Sequence, residues 1–148
     1  MGRMSRRRLR RVIDEERIVE AIRAAEQETS GEIRVSVAPF FWGNVEKAAW
    51  RAFDRLGMRN TAERNGVLIF LVPSRRRFAV LGDTGIHEKV GQEFWEAVAE
   101  AMSGKFRKGD FTTGLVLGIE EIGRRLKEHF PHRPDDVDEL PDEVDFGE

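Results

Sequence analysis

The sequence contains no cysteine, which removes disulfides, zinc–thiolate centres and thiol nucleophiles together. No run approaches the roughly 18 consecutive apolar residues that a membrane span requires. The N-terminus is basic, but Val12-Ile13-Asp14-Glu15-Glu16 follows it where a signal peptide would have its apolar core, so a cytoplasmic protein is expected. There is no G-x-S-x-G, no P-loop and no H-E-x-x-H, so the commonest hydrolase signatures are missing. An excess of charge is missing too, since the chain carries only −2 overall. With no basic body and no aromatic residues interleaved among the arginines, nucleic acid is not an expected partner.

What is present is enough for one folded unit. A chain of 148 residues with 40% apolar side chains can bury a core, and 35% charged residues keep it soluble. The charge is unevenly spread. Residues 1–11 hold six arginines and no acid, residues 135–148 hold eight acids and no base, and 19 of each sign remain for residues 12–134. The expected organisation is therefore a basic disordered arm over residues 1–11, a folded domain over 12–130 and an acidic disordered tail over 131–148. The tail has few apolar residues to offset the entropy of ordering. The arm is most simply a solvated charge run, with weak contact to an anionic membrane as its alternative role.

Hydrophobic spacing gives the elements. Ile18, Ala21, Ile22 and Ala25 mark a helix over residues 12–29 that Ser30-Gly31 ends. Residues 32–38 alternate, with Ile33, Val35 and Val37 on one side and Arg34 and Ser36 on the other, as in a half-buried strand near a sheet edge. After Pro39 and the aromatic Phe40-Phe41-Trp42, Asn44 can cap a helix whose inner stripe is Val45, Ala48, Ala49, Ala52, Phe53 and Leu56. Residues 67–72 are apolar on both faces, which suits a central strand covered twice. Residues 77–81 follow too closely for a crossover helix, so the two form an antiparallel hairpin. Two helices, over about residues 85–104 and 110–129, complete the body. The fold class expected is α/β: an α/β/α sandwich with a small mixed sheet and helices on both faces.

Ligands in open α/β sheets sit beyond the strand ends. Gly82-Asp83-Thr84-Gly85 occupies such a place, and Gly109-Asp110 opens the next helix similarly. If the two helix starts share one end of the sheet, Asp83 and Asp110 converge with Glu32 or the Asn65 amide on a hard cation, calcium or magnesium. The competing reading is that both aspartates are helix caps and that Glu32 is solvated. An aspartic-protease reading of Asp83-Thr84-Gly85 fails, because that chemistry needs two such aspartates in a mainly β fold. His87, His129 and His132 are too scattered, with Pro131 between the last two, to read as a metal set. Phe40-Phe41-Trp42 is a candidate docking patch.

Taken in order, Ser30-Gly31-Glu32-Ile33-Arg34-Val35, Asn65-Gly66-Val67-Leu68-Ile69, Phe78-Ala79-Val80-Leu81-Gly82-Asp83-Thr84-Gly85-Ile86 and Phe106-Arg107-Lys108-Gly109-Asp110-Phe111 resemble the TPM-domain family over roughly residues 14–130. The resemblance implies a Rossmann-like α/β/α sandwich, divalent-metal binding with calcium foremost, and a weak acid phosphatase activity reported for plant relatives. It carries Asp83, Asp110 and Glu32 as metal ligands. The chain departs from the family at Ser74-Arg75-Arg76, where relatives often have an acid, and at Gly82-Asp83-Thr84-Gly85, where they have Gly-aromatic-Gly. Both departures weigh against phosphatase chemistry. The expected function is a non-enzymatic, cation-binding accessory module for an unidentified protein partner, with a metal-dependent phosphomonoesterase as the alternative.

Overall fold

The structure is a computed structural model describing residues 5–39, 43–134 and 139–147; Phe40-Phe41-Trp42 lies outside them. Its elements, in order, are α1 (Arg6–Val12), α2 (Glu15–Glu26), β1 (Glu32–Val37), α3 (Val45–Arg55), β2 (Gly66–Val72), β3 (Arg77–Gly82), α4 (Thr84–His87), α5 (Gln92–Arg107) and α6 (Phe111–His129). The three strands form one mixed sheet in the order β1-β2-β3, with β1 parallel and β3 antiparallel to β2. The tight β2–β3 connection is a 3₁₀ turn over Pro73–Arg75, closed by Arg76 in the left-handed region. β2 is buried at every position, as its unbroken apolar run requires.

The strand period of two divides the core. Ile33, Val35 and Val37 with Val67, Ile69 and Leu71 face α2, α5 and α6, whose Ile18, Ile22, Val98, Met102, Leu115, Ile119 and Ile122 complete that layer. Leu68, Phe70, Val72 and Leu81 face α3 through Val45, Ala48, Ala49, Ala52 and Phe53. α5 and α6 approach closely because Gly114 and Gly118 leave room for Phe106 and Met102; a Cβ at either glycine would collide with them.

Two helices differ from their sequence-based bounds. The helix expected over residues 12–29 is divided at Asp14, which caps α2 by accepting from the Arg17 amide. The one expected over 85–104 is broken around Gly91, leaving the single turn α4 ahead of α5.

The larger correction concerns both ends of the chain. The arm is not a free extension from residue 5 onward: it forms α1, capped by Ser5, and its Leu9 is fully buried in the main core. The tail is likewise ordered over residues 139–147, where Leu140, Val144 and Phe146 are all buried. The few apolar side chains among the acids are the ones that dock. This segment runs along the outer edge of β1, and Asp145 bridges to it in parallel through its amide to Val35 O (2.9 Å) and its carbonyl from the Val37 amide (2.8 Å). It also covers the polar face of β1. All six β1 residues are consequently buried, Arg34 and Ser36 included, where alternation alone suggests a half-exposed strand.

Truncating either docked end should therefore cost stability. Leu9→Ala is expected to lose about 3 kcal/mol and Leu140→Ala about 2 kcal/mol in urea unfolding. A loss below about 0.5 kcal/mol for both, the size of an ordinary surface change, would show that the ends do not belong to the folded unit.

Candidate functional site

The sheet has two ends, and they hold different carboxylates. Parallel pairing puts the starts of β1 and β2 together, with Glu32 opposite Gly66, and the antiparallel β3 finishes at the same end, where the Asp83 amide donates to Gly66 O (3.0 Å). Glu32 and Asp83 thus flank Gly66 from its two sides. Asp110 is elsewhere. It caps α6 beside the α5–α6 turn, and that turn meets the β2–β3 hairpin, since Arg76 donates to Arg107 O (3.1 Å). About six strand residues, or roughly 20 Å, separate the ends. The two helix starts do not share one end of the sheet, and Asp110 does not converge with Asp83 and Glu32.

Each of the three carboxylates is otherwise engaged. Asp110 is exposed and accepts from the Thr113 amide (3.2 Å); hydrogen bonds from Thr113 lower its pKa. Asp83 is 1% exposed. It caps α4 by accepting from the Thr84 amide (2.7 Å), and both its oxygens lie in the fork of Arg64, at 2.7 and 3.0 Å. Arg59 adds a second cation at 3.6 Å. Glu32, also buried, accepts at one oxygen from the amides of Glu139 (3.0 Å) and Leu140 (2.8 Å). It anchors the chain's end.

The local sequence explains the Asp83 pair. Arg64 adopts a left-handed backbone at φ 52°, which an arginine takes only where the surroundings impose it. Gly85 supplies the close approach: its amide donates to Arg64 O (2.9 Å), and a Cβ there would strike the Glu63 and Arg64 carbonyls. The Gly-Asp-Thr-Gly segment is thus shaped by a loop packed on it. An aspartate held in a guanidinium fork is poorly placed to attack phosphorus or to ligate a cation.

A carboxylate group invisible to sequence patterning lies next to Glu32. Glu26, at the end of α2, accepts from the Ile33 amide (3.2 Å). Its pKa is pushed up to about 10, first by burial, then by its hydrogen bond with Asp142 and the charges of Glu32 and Asp142. Glu26 therefore keeps its proton at neutral pH. Asp142 lies 3.4 Å from Arg23 through one oxygen, while its Oδ1 is buried with no amide or cation as partner. At the same end Asn65 Oδ1 is also buried and unpartnered, its amide nitrogen donating to Ser30 O (3.3 Å). Among the described residues no three histidine, aspartate or glutamate side chains stand ready-made as a metal cage. His87 stacks on Trp95 at 5.3 Å instead.

Residues 11–125 match the family model of the TPM domain. The chain belongs to the TPM-domain family. The BA42 protein of the psychrophilic bacterium Bizionia argentinensis, solved by NMR, is 42% identical, superposes with a TM-score of 0.86, and is matched over 90% of this chain and 92% of its own. Two more distant structures share the fold at 19% identity each. The N-terminal domain of the Corynebacterium glutamicum cg2496 protein gives a TM-score of 0.60 over 74% of this chain and 69% of its own. An N-terminal domain from P. gingivalis gives 0.63 over 77% and 75%. No curated protein matches the chain.

Within this TPM domain, Arg64, Glu26 and Asp142 are the site residues that sequence reading passes over. Arg64 stands in an unpatterned polar loop, and Asp142 in a stretch whose composition suggests disorder. Only Leu140, Val144 and Phe146, spaced among the acids, signal that the stretch folds.

The buried proton on Glu26 gives a signed prediction. Below its ordinary value of 4.5 both folded and unfolded states hold the proton. Above it the unfolded state releases the proton while the folded state retains it, so this group's contribution to stability falls as pH rises toward about 10. Glu26→Gln removes the titration. Its stability relative to the parent protein should rise by roughly 1 kcal/mol per pH unit between about pH 5 and about pH 9, measured by urea unfolding across that range. A difference independent of pH would mean that Glu26 is ionised in the folded protein.

Proposed function

We propose that this TPM domain is a non-enzymatic accessory module that binds a divalent cation, calcium foremost, at the sheet end where β1 and β2 start. The carrying observation is the half-buried carboxyl group of Glu26, hydrogen-bonded to Asp142 and close enough to Glu32 that burial, that bond and the two negative charges push its pKa up to about 10. Three carboxyl groups confined together need a positive charge among them, and a proton supplies only one. A hard cation with oxygen ligands would supply two. Glu26, Glu32 and Asp142 form no metal cage as they stand and would draw together to hold it, with the Asn65 side-chain oxygen near the same end. Asp83, held by Arg64, and Asp110, at the other end of the sheet, are left out of this set.

The phosphomonoesterase alternative is weaker. It rests on Asp83 as nucleophile or ligand, and both Asp83 oxygens are taken by Arg64 and the Thr84 amide. No helix of the described residues is long and apolar enough to cross a membrane. The reading places the module in the cytoplasm, where the exposed Arg7, Arg8 and Arg11 of α1 can touch an anionic membrane weakly.

Calcium titration followed by amide NMR tests the proposal. The amides of Ile33, Glu139, Leu140 and Asp142 are expected to shift, and affinity should rise with pH as the Glu26 proton is displaced. Glu26→Gln should weaken binding at least tenfold, and Asp110→Asn should leave it unchanged. No shift at millimolar calcium, or shifts centred on Asp110, would reject the assignment.

A further inference from the structure

The outer edge of β1 is built like a recognition site for an extended peptide, and the chain's own C-terminal segment occupies it. A strand that adds to a sheet edge uses main-chain pairing for affinity and alternate side-chain seats for specificity. Both are present. Asp145 supplies the main-chain pair, to Val35 O and from the Val37 amide. Its carboxylate enters a slot made by Ser36 Oγ (2.8 Å) and the two terminal nitrogens of Arg55 (3.2 and 2.7 Å). On either side of it Val144 and Phe146 turn into the main core, and Arg10 lies over the Phe146 ring at 4.4 Å. Arg6 donates to the carbonyls of Phe146 (3.1 Å) and Gly147 (2.8 Å). Hydroxyl, guanidinium fork, apolar seats and carbonyl clamp come from α1, α3 and β1, so a separate chain could meet every one of them.

The occupant in place leaves part of the site unused. Arg34 stands two residues before Ser36 on the same face of β1, is 8% exposed, and its Nε is buried without a partner. A buried guanidinium without a counter-charge is costly. In a parallel strand paired with β1 through Asp145, the residue two positions earlier lies alongside Arg34. In this chain that residue is Glu143, which is exposed instead, because the segment leaves the edge to seat Leu140 and to meet Glu32 through the Glu139 and Leu140 amides. Those contacts, made by the same segment, hold it off the edge at Glu143. An untethered segment has no such obligation.

We propose that the β1 edge is a docking site for an extended segment of another protein with the pattern acid, apolar, acid, aromatic, and that residues 139–147 are its built-in competitor. The first acid of the ligand pairs with Arg34, the second fills the Ser36–Arg55 slot, and the apolar and aromatic side chains take the Val144 and Phe146 seats. This goes beyond cation binding; because Asp142 belongs to the displaced segment, the peptide is titrated without added calcium, so that either proposal can fail without the other.

The test uses the full chain and a synthetic peptide carrying the Glu143-Val144-Asp145-Phe146 sequence within a longer extended segment. Asp145→Asn loosens the resident segment while leaving the groove intact. It is expected to bind the peptide at least tenfold more tightly than the parent chain, with the Val35 and Val37 amides shifting. Adding Arg34→Ala to Asp145→Asn should weaken that binding about tenfold, and a peptide with both acids changed to amides should not bind. In the parent chain alone, the Asp145 amide is expected to exchange with solvent at least 100-fold faster than that of Ile69 in the central strand. Equal protection of those two amides, failure of the peptide to move Val35 and Val37 in Asp145→Asn, or dimers formed by exchanged C-terminal segments would overturn the proposal.

Discussion

A sheet of three strands cannot close on itself, and β1 lies at its border with a polar face of Glu32, Arg34 and Ser36. α3 covers β2 and β3 on that side, so another part of the chain must cover β1 and satisfy its outer main-chain groups. The two ends of the molecule do this jointly. The C-terminal segment pairs with the edge through Asp145, and α1 holds the end of that segment with Arg6 and Arg10. Opposite net charges at the ends thus have a structural reason. The basic helix clamps carbonyls and an aromatic ring, and the acidic segment answers Arg23, Arg55 and the Ser36 hydroxyl.

The same closure sorts the carboxylates into different roles. A buried carboxylate is tolerable only with a cation, a set of donors or a proton. Asp83 has a cation in Arg64, Glu32 has two amides, Asp145 has Arg55 and Ser36, and Glu26 has a proton. For Asp145, burial works against ionisation, but Arg55 and Ser36 outweigh it and leave the pKa below the ordinary carboxylate range. Asp110, out in solvent, needs only its capping amide. Identical chemical groups differ because their surroundings differ, and in the Glu26–Asp142–Glu32 group burial and neighbouring negative charges raise the pKa of Glu26.

Much of the framework is legible locally. Ile18 and Ile22, Val45 to Phe53, and Leu115 to Ile122 mark helix faces because a helical period repeats over near neighbours. The unbroken run from Val67 to Val72 marks a strand covered on both sides, and four residues between strands can only make a hairpin. Asp83 and Asp110 were legible as helix starts. Their meeting was not, because which end of the sheet each helix starts from is a property of topology. The ordering of the tail was also hidden, since composition averages over Leu140, Val144 and Phe146 and misses that each finds a separate seat.

What this sequence determines by itself is therefore most of the elements and their buried faces, fixed by interactions within a few residues along the chain, and with them the α/β class. What only the tertiary structure decided is the use of each charge. Asp83 meets Arg64 across 19 residues and Ser36 meets Asp145 across 109, and no local pattern encodes such pairings. A carboxylate's protonation and partners follow from solvent exclusion and from whichever donors the fold brings within about 3 Å, and both exist only after the chain has closed around it.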